Sequence, residues 1–193
     1  MRSDLSPEYI DSYVKERMKA VVIDVRDIDL TNETVLRDFS QLYKKASTNK
    51  LDVYVSLSPE NSSVINNELR GFSLNGVFVD RNEIREPNNL LTAFNAVNEY
   101  KVKVNPNFSF GLLTNFKEIV DRYYFDYGVF NVFSNNKKEV LNLVQYEMKK
   151  GKVLIQLDIS FFGSIDNVFD MANYIDTFCD SDLNFVGYIV NFG

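Results

Sequence analysis

The chain has 193 residues, 45% of them hydrophobic, with 21 basic against 27 acidic side chains and a formal net charge of −6. That length supports one domain, spanning 1–193, whose core needs no staples; a single cysteine, Cys179, excludes an internal disulfide framework and points to a reducing, intracellular compartment. Histidine is absent, which removes Ser-His and Cys-His nucleophile pairs, the usual imidazole base and His metal sites, and with one Cys leaves no ligand set for structural zinc.

The amino terminus, "MRSDLSPEYIDSYVKERMK", is polar and amphipathic, unlike a secretory leader. Ser6-Pro7 opens a predicted helix with Ile10, Tyr13, Val14 and Met18 on its apolar face. "AVVIDV" (20–25) reads as a strand, and Asn32 as the cap of a helix carrying Val35, Leu36, Phe39, Leu42 and Tyr43. "DVYVSL" (52–57) and "NGVFVD" (75–80) are further strands. Pro87 stands in the first turn of a helix that presents Leu90, Leu91, Phe94 and Val97. "YKVKVN" (100–105) and "YGVFNVFS" (127–134) read as strands. Val140, Leu141, Val144 and Met148 form a helical stripe that ends at "KKGK", with Gly151 as the stop. The last strands are "KVLIQLDI" (152–159) and "NFVGYIVNF" (184–192), separated by a helix with Ile165, Val168, Ala172 and Ile175 on one face. No apolar run reaches the ~18–20 residues that cross a bilayer, so no membrane partner is expected.

Seven strands alternating with helices imply an α/β fold with a parallel sheet. If "MRSDL" adds a short strand, the count favours a compact, irregular (β/α)8 TIM-like barrel of 7–8 parallel strands. An open doubly wound sheet is the alternative.

In a barrel, function collects at the carboxyl ends of the strands. The sequence puts Asp24, Arg26 and Asp27 there, with Ser56 and Ser58, Asp80, Arg81 and Glu83, Ser134, and Asp158 and Ser160. Asp24, Asp80 and Asp158 lining one pocket would suit a glycoside hydrolase, with one carboxylate as acid and another as base or nucleophile. The plainer reading is that these residues cap the next helix or pair with Arg26 and Arg81. No P-loop or G-x-G-x-x-G is present, and "SFFGSIDN" and "NFG" hold one glycine each, too few for a phosphate cradle. Lys137 and Lys138 stand at the opposite end of one helix, ~18 Å long, from Lys149, Lys150 and Lys152, so the two groups need not form one site. The net acidity weighs against tight autonomous nucleic-acid binding.

The segments "VFSNNKKEVLNLV", "KKGKVLIQLDIS" and "NVFDMANYIDTFCDSD", taken together, resemble the TIM-barrel protein subunit of ribonuclease P and ribonuclease MRP. Lys137 and Lys138 stand where that family has basic residues, Gly151-Lys152 matches its turn, and Asp170, Ala172 and Asn173 match its D-x-A-N core. The departures are Asp158-Ile159-Ser160 in place of Ser-Ser-Ala, Asn135 in place of Pro, and a missing Arg-Gly-Pro. The resemblance implies a non-catalytic scaffold for the RNA that removes 5′ leaders from precursor tRNA. It implies a protein partner of the Pop-five type and a structured RNA contacted near Lys137, Lys138, Lys152, Arg26 and Arg81. The protein would bind no cofactor, since Mg²⁺ would be held by the RNA. Its compartment would be the nucleus or nucleolus in a eukaryote, or the cytoplasm in an archaeon. A catalytically inert interaction barrel in another assembly is the third expectation.

Overall fold

A computed structural model describes residues 10–11, 18–80, 83–84, 87–114 and 125–191. Among these residues seven strands appear: β1 (Ala20–Asp24), β2 (Asp52–Leu57), β3 (Gly76–Asp80), β4 (Ser109–Thr114), β5 (Tyr127–Asn131), β6 (Val153–Asp158) and β7 (Phe185–Asn191). They follow one another across the sheet in chain order. The pairings β1–β2, β2–β3, β4–β5, β5–β6 and β6–β7 are all parallel. Parallel neighbours need crossovers, and these carry α1 (Glu33–Thr48), a 3-10 helix (Pro59–Ile65), α2 (Pro87–Lys103), α3 (Lys137–Met148), the one-turn α4 (Ile159–Phe162) and α5 (Ile165–Cys179). The chain gathers into two compact units, Met1–Phe110 and Gly111–Gly193.

In the first unit, α1 begins where the sequence indicates. The Asn32 side chain accepts from the Thr34 and Val35 amides at 3.0 and 3.4 Å, satisfying donors that the first turn leaves without partners. Phe39, Leu42 and Ala46 then pack inward. Tyr100, fully buried, donates from its hydroxyl to the Phe72 carbonyl and accepts from the Leu74 amide at 3.1 Å. The next residue, Asn75, accepts from the Val53 amide at 2.8 Å through its side chain. Those bonds hold the chain entering β3, where Gly76 is required. A Cβ on Gly76 would stand 2.2 Å from the Ser109 hydroxyl and 2.8 Å from its carbonyl, so only glycine lets β3 and β4 approach.

In the second unit, α3 and α5 bury Val140, Leu141, Val144, Met148, Val168 and Ile175 among Val153, Ile155 and Leu157 of β6. Each Å² of apolar surface that this cluster removes from water stabilises the unit by ~25 cal/mol. The β6–β7 register breaks between Val153 and Leu154, which pair with Phe185 and Gly187. Val186 is the residue left over, 46% exposed, and Gly187 takes φ +137°. This is a β-bulge with glycine at the strained position.

Three sequence expectations are corrected. "YKVKVN" is not a strand: Tyr100–Lys103 complete α2, and Asn105 lies in the following turn. The alternation there is accidental, since Val102 is 85% exposed while Leu90, Ala93, Val97 and Tyr100 are buried at helical spacing. The fourth strand is instead "SFGLLT" (109–114). Leu91 is half-exposed rather than part of the buried stripe, and Met18 lies outside any helix. Ile10 and Asp11 are helical as expected, with Ile10 fully buried, whereas "MRSDL", Ser6, Pro7, Tyr13 and Val14 fall outside the described residues. No described helix is long and apolar enough to cross a membrane.

Candidate functional site

β1 delivers Asp24 to its carboxyl end, and the chain turns at once. The Arg26 amide donates to Asp24 Oδ1 at 3.1 Å. That short turn folds the guanidinium back onto the same carboxylate. Nε donates to Oδ1 at 2.9 Å and Nη2 to Oδ2 at 2.6 Å, a bidentate fork. The remaining terminal nitrogen, Nη1, faces residues brought from β3 and beyond. It lies 3.4 Å from Glu83 Oε1 and 3.6 Å from Asp80 Oδ2. The hydrogen bond to Asp24 holds the guanidinium even more firmly charged than usual; partial burial opposes this, and the three surrounding carboxylates reinforce it. Glu83 Oε2 is buried with no hydrogen-bond partner.

Sequence reasoning placed Asp24 and Asp80 at strand ends, and the fold brings them together around Arg26. Asp158 does something else. In the second unit its Oδ1 accepts from the Ser160 amide at 2.8 Å and from the Ser160 hydroxyl at 2.6 Å, capping α4. Its Oδ2 accepts from the Asn191 side chain at 2.9 Å. Ser134 likewise serves its own helix, donating to Glu139 Oε2 at 2.8 Å. Ser58 occupies the cap position of the 3-10 helix without making a side-chain cap bond. Ser56 is a buried strand residue.

Among the residues expected near RNA, Lys137 forms an ion pair with Asp170 at 2.6 Å and lies 5.6 Å from the centre of the Tyr174 ring. Asp170 thereby ties α3 to α5. Ala172, the next motif member, is core, and Asn173 is exposed. Lys138 and Lys152 are exposed. Lys150 bonds Glu147 at 2.8 Å, next to the Tyr146 ring. Arg81 lies outside the described residues.

Two features escaped the sequence reading. A cleft of about 400 Å³ opens between the loop after β1 and the 3-10 helix after β2. Arg26, Asp27 and Asp29 line it on one side, and Asn61, Asn67 and Glu68 on the other; Asp24, Asp80 and Asp158 are not in its wall. No local motif marks it, because its two sides are about 35 residues apart in the chain. The other feature is an edge-to-face pair, Phe133 with Phe161, at 6.1 Å. Phe133 is 64% and Phe161 38% exposed, just beyond β5 and β6. The aromatic before Ser134 was the only hint of it. No group of three or more Asp, Glu or Cys suited to a metal occurs among the described residues.

No family model matches the chain, and no curated protein matches it. Solved structures do. A family 1 β-glucosidase from Thermotoga maritima superposes with TM-score 0.66 at 10% identity, covering 95% of this chain and 75% of that one. The fold is an α/β barrel of the TIM type. A GH113 β-1,4-mannanase gives TM-score 0.62 at 6% identity over 98% of this chain and 82% of the other. A tryptophan synthase from M. tuberculosis gives 0.60 at 12% identity over 97% and 76%. Such low identities establish architecture alone.

Proposed function

We propose that this chain is a barrel that works by binding and not by turnover. The observation that carries the reading is the Arg26 fork. A general acid or base needs a carboxylate oxygen facing substrate, and both oxygens of Asp24 are taken by Arg26. Asp158, the other candidate partner for Asp80, caps its own helix. Within this reading, the assembly we propose is the ribonuclease P or MRP particle that the carboxyl third resembles. Exposed Lys138 and Lys152 would meet the RNA, and a Pop-five-type protein would supply most of the contact. Arg26 and Lys137, both ion-paired, contribute less than their charges suggest. Native pull-down of the tagged chain from its own cells tests this: a structured RNA and a small protein partner are expected. Recovery of a lone monomer sinks the ribonucleoprotein form.

A second reading, a carbohydrate-active enzyme, draws on two neighbours being a β-glucosidase and a β-1,4-mannanase. It also draws on Asp24 and Asp80 meeting one guanidinium, which puts their carboxylates within about 9 Å, inside the range glycosidases use. Incubation with a panel of aryl glycosides decides between the two. Release no faster than the buffer blank is expected. Turnover that Asp80→Asn abolishes would replace the binding reading with this one.

A further inference from the structure

We infer that the cleft between the β1–α1 loop and the 3-10 helix is a binding site for a small organic cation, an amine on an alkyl body. Its volume of about 400 Å³ falls in the range of small-molecule sites, and it opens at the carboxyl ends of β1 and β2, the functional end of this fold. Its floor is apolar: Val25, Leu30 and Leu57 are buried, with Val64 beside them. Its rim is polar and unbalanced in charge. Asp27, Asp29 and Glu68 supply three carboxylates. Among the described residues of the wall the one cation is Arg26, whose charge is committed to Asp24, Asp80 and Glu83.

Asp29 spends one oxygen on the Thr31 amide and hydroxyl, but Asp27 and Glu68 make no ion pair among the described residues. Ionised carboxylates only accept hydrogen bonds, so the rim asks for a ligand rich in donors. A cleft of one sign over a low-dielectric floor concentrates counter-charge. An anion such as phosphate is therefore excluded, and an ammonium group matches both the charge and the donor requirement. An uncharged sugar would use the Asn61 and Asn67 amides but would leave the charge unanswered, with no aromatic ring among the described residues of the wall to stack on. The inference is independent of the reading above, since neither glycoside turnover nor RNA recovery bears on it.

The test titrates spermidine into the full chain by calorimetry at low and at physiological salt, with amide chemical shifts followed by NMR. The four substituted positions are exposed or half-exposed, so both variants are expected to fold. Saturable binding is expected, with shift changes concentrated at 25–31 and 61–68. Asp27→Asn with Glu68→Gln should weaken it about tenfold. Asp166→Asn with Asp180→Asn changes net charge equally away from the cleft and should leave it within about twofold. Equal weakening by both pairs would mean general attraction to an acidic surface and would overturn the site. Absence of saturation at millimolar spermidine would overturn it too, and cellobiose shifting the same amides when spermidine does not would overturn the ligand class.

Discussion

Arg26 and Tyr188 show how single side chains decide what this fold can do. Arg26, 29% exposed, stands against carboxylates from β1 and from the end of β3. Arg26→Met removes the counter-charge and leaves three acids facing one another. Because the cluster is partly solvated, the expected loss is about 2 kcal/mol, below the 3–5 kcal/mol of a fully buried broken pair. Urea unfolding of the variant and the wild type at pH 7 will measure the loss. Tyr188 sits in β7 with its hydroxyl 2.7 Å from Asp176 Oδ1 and 2.8 Å from the Ala172 carbonyl. Burial, then the bond to Asp176, push its ionisation well above the usual tyrosine range. A phenol whose folded value is raised stabilises the protein below the unfolded value, near 10, and loses that contribution above it. Tyr188→Phe should therefore cost about 1 kcal/mol at pH 7, and the gap to the wild type should narrow above pH ~10. A gap that stays constant to pH 11 would contradict the assignment. Pairing of strand-end acids with Arg26 was readable from the sequence as a type of contact. The sequence also put Glu83 beside Asp80 at the end of β3; only the fold shows that its Oε1, 57 positions from Arg26, meets the guanidinium.

At the scale of elements, periodicity was a sound guide where burial was one-sided. The stripe of α3 and the cap of α1 came out as spaced. It failed where a polar helix happened to alternate, as at "YKVKVN", and where a strand carried Ser109 and Gly111 in place of a β-branched run. The D-x-A-N segment is the instructive case. Ala172 belongs to the core stripe, and Asp170 meets Lys137, 33 residues earlier, across the α3–α5 contact. Packing and an ion pair thus account for two of the three motif residues without RNA. The pair is solvated, with Lys137 37% and Asp170 66% exposed, so its worth is small. A double-mutant cycle of Lys137→Met and Asp170→Asn should give a coupling of about 0.2–1 kcal/mol. By comparison, Asn32→Ala, which strips the cap of α1, should cost about 1 kcal/mol.

For the whole molecule, charge constrains partners more than fold does. The architecture is shared with a glucosidase, a mannanase and a tryptophan synthase, so it names no activity. The balance of 21 basic to 27 acidic residues does discriminate. Affinity for RNA comes chiefly from lysines and arginines displacing counterions from phosphates, with log K falling by ~0.7–0.9 per contact for each tenfold rise in salt. Of the five cations the sequence offered, Arg26 is enclosed by acids and Lys137 is bound to Asp170. Lys138 and Lys152 are exposed, on a chain whose formal net charge is −6. The isolated chain should therefore fail to retard a structured RNA at physiological salt. Any retardation at low salt should disappear with a shallow slope, corresponding to about two phosphate contacts or fewer. Gel retardation across a salt series measures this directly. A steep slope, removed by Lys138→Ala with Lys152→Ala, would show that the chain grips RNA by itself. A flat one would leave any ribonucleoprotein role to depend on a protein partner that supplies the cations.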